Sequence, residues 1–234
     1  MPSASSPTLT QAVEWRTGIW LPAVKSLLDR ASARLRPGTE VLELGYGSGL
    51  LACYLAAVYG VRVTGFETDP AARDAARVNA RRFGLQDRLD FRCVDPDQAA
   101  ELPQGFDLLF LKSFLAQAKT PEAYQASLAF LRARLRPGGL LLAAENGRGG
   151  YLDRFVRKRV RGSRWAGHQL FDRSALAAFE SAFQRVDVQC FGRFSQFFAF
   201  APRLCFALQT LEARLCPPGV DHCFVAAILA EKAG

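Results

Sequence analysis

The 234-residue chain is poor in the residues that bind metals and in the runs that cross membranes. It has two histidines, His168 and His222, and its six cysteines (Cys53, Cys93, Cys190, Cys205, Cys216 and Cys223) never form a C-x-x-C pair. That leaves no ligand spacing for zinc, so no metal is expected. Unpaired cysteines in apolar contexts read as buried free thiols of a reducing, cytoplasmic compartment, not as a disulfide framework. No stretch of about 18 residues is apolar and uncharged, which argues against a membrane-spanning helix. Residues 1–7 lack the basic-then-apolar order of a secretory signal and are expected to fray. There is no internal repeat and no sign of a second domain. Lysine is scarce: the net charge of +8 is almost all arginine, and with alanine also abundant it reads first as a solvated basic surface.

Half of the residues are hydrophobic, enough for a sizeable core. Helical periodicity runs over Leu9 to Leu35, with Trp20, Val24, Leu27 and Leu28 on one face and Pro22 read as a first-turn residue. Further helices are expected over Leu50–Tyr59, Pro70–Phe83 (capped by Asp69, ended by Gly84), Thr120–Arg134 and Asp172–Phe183. Between them lie apolar runs with strand character: Val41–Leu44, Val61–Phe66, Leu89–Val94, Phe106–Leu111 and Leu140–Leu142. Such alternation predicts a parallel sheet with helices on both faces, whose ligands bind outside the carboxyl ends of the strands. Gln184–Phe191 and Cys223–Ala230 read as sixth and seventh strands; the 31 positions between them are too many for a turn and predict an inserted helix across about Ala201–Leu215.

The most informative run is Glu43-Leu44-Gly45-Tyr46-Gly47-Ser48-Gly49, a buried strand ending in a glycine-rich turn that opens a helix. Gly45 and Gly47 suit tight or positive-φ backbone and close approach of a ligand, and Gly49 suits close helix–strand packing. Dinucleotide enzymes use such a turn too, but the spacing here is G-x-G-x-G, with an acid two positions ahead. Glu67 ends the second strand 22 residues past Gly45, near the roughly 20 at which an acid meets ribose hydroxyls. Asp95 ends the third strand, and Leu135-Arg136-Pro137-Gly138-Gly139 leads into the fifth.

Together these segments resemble class I S-adenosylmethionine-dependent methyltransferases of the small-molecule kind (types 11 and 25), strongly over residues 38–145 and weakly beyond. The resemblance implies an α/β fold: a Rossmann-like seven-stranded sheet, mostly parallel, with an antiparallel seventh strand and helices on both faces. It implies a tail and helical cap at residues 1–36 and one methyltransferase domain at 37–234, with substrate-side insertions at 151–172 and 192–222. Its cofactor would be S-adenosyl-L-methionine, with Glu43 toward the amino group, Gly45, Tyr46, Gly47 and Gly49 along the methionine and ribose portion, and Glu67 with Thr68 at the ribose. Asp95 would meet the adenine amino group, and Lys112 the cofactor carboxylate or the substrate, unless it simply reaches solvent from the strand end.

Methyl transfer from a sulfonium needs mainly alignment and, for some acceptors, removal of a proton. His168 is the candidate base; a histidine bonding loop backbone is the plain alternative. His222 reads as the structural start of the seventh strand. The N/D-P-P-Y/F/W motif of nucleobase amino-methyltransferases is missing after Leu111, where Lys112-Ser113-Phe114 stands, and no Pro-Cys nucleophile is present. The expected function is methylation, by preference on oxygen, of a small hydrophobic or anionic molecule. Two rivals stay open: an RNA or protein methyltransferase using the arginine-rich face of Arg154, Arg157, Lys158, Arg161 and Arg164, and an inactive cofactor-binding partner subunit. That face, and the phenylalanine-rich run from Phe191 to Phe206, also suit an anionic lipid surface or a homodimer contact.

Overall fold

The computed structural model describes residues 6–14, 16–94, 102–151, 154–155, 169–198 and 201–234. Helices α1 (Leu9–Val13) and α2 (Thr17–Arg30) come first, then β1 (Glu40–Leu44), α3 (Leu50–Tyr59), β2 (Arg62–Glu67), α4 (Pro70–Phe83), β3 (Leu89–Cys93) and β4 (Phe106–Lys112). A 3-10 turn at Leu115–Gln117 leads to α5 (Pro121–Arg134), β5 (Leu135–Asn146), α6 (Arg173–Ala182), β6 (Arg185–Phe191), α7 (Pro202–Leu215) and β7 (Val225–Glu231).

The strands form one sheet in the order β3-β2-β1-β4-β5-β7-β6. Six run the same way, and β7 lies antiparallel between β5 and β6. Side-chain alternation splits the sheet into two packed faces. Val41, Val63, Leu108, Phe110, Leu142 and Ala227 face α1–α4. Leu42, Phe66, Leu109, Leu111, Leu141 and Ile228 face α5 and α6. Burial on both faces explains why these strands read as continuous apolar runs.

Local chemistry sets the helix ends. Asp69 accepts from the Ala71 amide, Thr120 from Ala123, and Asp172 from Ser174 and Ala175. Each such cap is worth about 1 kcal/mol.

Several sequence expectations need correction. The single helix over Leu9–Leu35 is broken: Glu14 (φ 60°) and Arg16 (φ 46°) take left-handed backbone, and α2 ends at Arg30. Lys112 holds this break by donating to Val13 O (3.0 Å), a carbonyl stranded at the end of α1. Pro22 stands at the sixth position of α2, not in its first turn. Its missing N–H leaves Gly18 O without its helical donor. Gln209 Nε2 (2.7 Å) and Cys205 Sγ (3.2 Å) of α7 donate to it instead. The Pro137-Gly138-Gly139 segment lies within β5 as an irregularity: Phe106 pairs with Leu135, but Leu108 already pairs with Leu140. β7 begins at Val225, so His222 is exposed on a 3-10 turn before it rather than opening a buried strand.

Candidate cofactor site

The carboxyl ends of β1, β2 and β4 and the segments that follow them enclose a cavity of about 380 Å³. Leu44 and Gly45 come from β1 and its turn, Phe66, Glu67 and Thr68 from β2, and Lys112, Phe114 and Gln117 from β4 and beyond. Val94, Leu102 and Phe130 complete an apolar wall. The volume lies in the range of small-molecule sites, and its position is where open α/β sheets bind ligands.

The glycine turn is bound to β2: Gly45 N donates to Phe66 O (2.9 Å). Gly47, at φ 54°, points its amide at Glu67 Oε2 (3.4 Å), and a side chain there would meet nothing within 4 Å. Gly49 has a packing task. A Cβ on it would lie 2.7 Å from Ala76 Cβ and from Phe91 Cζ, so α3 starts hard against α4 and β3. Tyr46 sends its ring into the core, 4.8 Å from that of Phe91, and donates its hydroxyl to Arg92 O (3.1 Å). Its side chain is not among those lining the cavity.

Glu67 Oε1 accepts from Thr68 N (2.9 Å), which orients the carboxylate at the cavity wall with acceptor capacity to spare. Glu43 is buried, and its Oε2 has no hydrogen-bond partner among the described residues. Burial pushes its carboxyl up to about 8; the nearby Lys112 ammonium opposes this, while Glu14 and Glu67 add to it. An orphaned buried carboxylate oxygen is costly, and its usual remedy is a cation or a donor supplied by a ligand. Asp95 and His168 lie outside the described residues. Gln169, next to His168 in the chain, donates its amide to Ala118 O (3.1 Å), one residue beyond the cavity-lining Gln117.

Three residues that sequence reasoning passed over stand at the ends of β4 and β5. Glu145 is buried and accepts from the amides of Phe114 (2.9 Å), Leu115 (3.0 Å) and Ala116 (3.4 Å). It thereby holds the turn that carries Phe114 and Gln117. Burial raises its carboxyl to about 7, against the lowering effect of the three amides. Ser113 takes a left-handed φ of 56° and accepts from Asn146 Nδ2, while the buried Asn146 Oδ1 has no partner among the described residues. Strained backbone beside an unsatisfied polar atom is a common mark of a functional site. The only hint in the sequence was a polar pair, Glu145-Asn146, closing an apolar strand.

Known proteins share parts of this sequence and this fold. Residues 41–139 match the family model described as "Methyltransferase domain". The ribosomal protein L11 methyltransferase of Symbiobacterium thermophilum is 35% identical over 108 residues, 46% of this chain and 32% of its own. The ubiquinone biosynthesis O-methyltransferase of Chromobacterium violaceum is 32% identical over 103 residues, 44% and 42% of the two chains. This chain thus spans less than half the length of the curated relatives it matches. The structure of the S-adenosylmethionine-dependent methyltransferase SibL superposes with a TM-score of 0.64 at 18% identity, over 92% of this chain and 55% of that one. Glycine turn, strand-end acid, sheet order and family match point the same way: residues 41–139 match a methyltransferase domain, and the fold is that of the class I S-adenosylmethionine-dependent methyltransferases.

Proposed function

We propose that this protein transfers a methyl group from S-adenosylmethionine to a small hydrophobic or anionic-hydrophobic molecule, with oxygen as the favoured acceptor atom. The observation that carries the proposal is the pair of acids at the strand ends: Glu67 on the cavity wall, and Glu43 buried with an unpartnered oxygen. Both fit the cofactor. Glu67 suits two ribose hydroxyls, Glu43 suits an amino group, and the backbone at Gly45 and Gly47 leaves room for direct approach. Val94 and Leu102, on either side of the segment holding Asp95, suit an adenine face. When bound, the cofactor supplies an electrophilic methyl group. The chain's part is to hold and orient, and the apolar wall of Phe114 and Phe130 excludes water. His168 is the proposed proton acceptor, supported by the place of Gln169 beside the cavity turn.

A protein or RNA acceptor is the second reading, and the L11 methyltransferase relative favours it. The deciding experiment supplies methyl-labelled cofactor to the protein with a cell extract and asks which fraction takes up label. Label in lipid-soluble or small polar compounds is expected. Label in protein or RNA alone overturns the acceptor class, and failure to bind S-adenosylhomocysteine overturns the whole reading.

A further inference from the structure

The segment between β6 and β7 ends in a helix whose outer face is apolar. Leu204, Leu208, Leu211 and Leu215 recur at spacings of four, three and four, which aligns them on one stripe of α7. Leu204, Leu211 and Leu215 are 45%, 51% and 73% exposed, far above what an isolated core-facing stripe would show. A 3-10 turn at Ser195–Phe198 packs against α7, and Phe194, just before it, and Phe198, at its end, are exposed. That turn is held firmly. The buried Glu212 of α7 accepts from the amides of Arg193, Phe194 and Ser195 and from the Ser195 hydroxyl.

Charge selects the occupant. Arg203 and Arg214 share a second stripe about a quarter-turn from the leucines, and Arg193 lies beside Phe194. Between Asp187 and Asp221 the chain has one acid, Glu212, and that one is turned inward. Paired antiparallel through the leucines, a second copy of the helix would bring arginine flank against arginine flank, with no outward carboxylate on the helix to offset it. Anionic headgroups complement the arginines while the leucines and phenylalanines enter the acyl boundary. No described helix is long and apolar enough to cross a membrane, so contact is from one side.

We propose that α7 and the turn before it form a docking surface for an anionic phospholipid bilayer. β6 runs parallel to β1, β2 and β4, so the segment leaving it starts from the same, carboxyl end of the strands as the cavity. Joined to the proposed methyl transfer, and resting on it for this part, the surface would hold the protein at a bilayer that carries a lipid-soluble acceptor.

The test is flotation of the purified chain with phosphatidylcholine vesicles, with and without equimolar phosphatidylglycerol. Association about tenfold stronger with the anionic vesicles, and weakened by salt, is expected. A Leu211→Ser/Leu215→Ser variant should lose about tenfold of it, and Arg203→Glu/Arg214→Glu should abolish the preference for anionic lipid. S-adenosylhomocysteine binding and urea unfolding serve as independent readouts of site and fold, so the docking surface and the cofactor site fail separately. If the leucine variant misfolds, the arginine variant decides. Equal association with both vesicle types overturns the proposal. So does a dimer, seen by light scattering, that the leucine variant dissolves while the parent chain ignores vesicles.

Discussion

The two halves of the sheet are built on different terms. In β1 and β4 nearly every residue is buried, the family match covers both, and the turn after β1 is short and glycine-rich. β6, on the far edge, is half-buried and exposed along its length, lies outside the matched residues, and leads into a long insertion with a helix of its own. The first half, which carries the candidate cofactor site, is packed from both faces. The second half is buried along β7 but meets solvent along β6, and its insertion is tied to α2 through Cys205 and Gln209.

If the cofactor half is as tightly specified as it looks, Gly49→Val should be the most damaging single change. The added side chain meets Ala76 and Phe91 at a left-handed φ of 71°. A loss of about 3 kcal/mol or more in urea unfolding is expected. Glu67→Ala sharpens the contrast from the other side. It should weaken S-adenosylhomocysteine about 100-fold by calorimetry, since hydrogen bonds to a charged group are worth about 1.5–3 kcal/mol, while leaving the unfolding midpoint nearly unchanged. On the insertion side, Gln209→Leu should cost about 1–2 kcal/mol, because it removes the principal donor to the carbonyl that Pro22 strands.

A smaller and broader effect is the pH dependence of stability. The Glu43 carboxyl sits near 8 when folded, against an ordinary 4.5, and that of Glu145 near 7. The folded state therefore keeps protons that the unfolded chain has released. The contribution is complete below about pH 4.5 and is lost as pH rises through 7 to 8. The urea midpoint should fall from pH 5 to pH 9, and Glu43→Gln should flatten the upper part of that fall. The smallest expected change is Ser113→Gly, which relieves a left-handed φ and should stabilise by about 0.5–1 kcal/mol. A destabilisation instead would show that the Asn146 bond outweighs the strain.

The same contrast explains what could be read from the sequence. β1, β2, β4 and the helices between them announce themselves through apolar runs, caps and terminal glycines, all of them local signals. The inserted helix over Pro202–Leu215 was legible as well, from loop length alone. What escaped were bonds between distant positions. Lys112 reaches Val13, Gln209 reaches Gly18 across 191 residues, and Glu145 reaches back to the amides of 114–116. No periodicity encodes such pairs; they exist only once the sheet order has brought the partners together. The break at Glu14–Arg16 belongs with them, since the apolar pattern continues through it and a tertiary bond to Val13 marks the interruption.

The reversed direction of β7 has an architectural consequence. β6 and β7 pair from Arg185↔Glu231 to Phe191↔Val225, so the insertion begins and ends on neighbouring strands, about 5 Å apart. It is a cassette with both anchors fixed by a hairpin ladder. Closure entropy rises only by about 0.6 kcal/mol for each doubling of loop length. A replacement of different size could therefore be spliced between Phe191 and Val225, provided that it still covers α2 and supplies a donor to Gly18 O, while the glycine turn and its acids stay untouched.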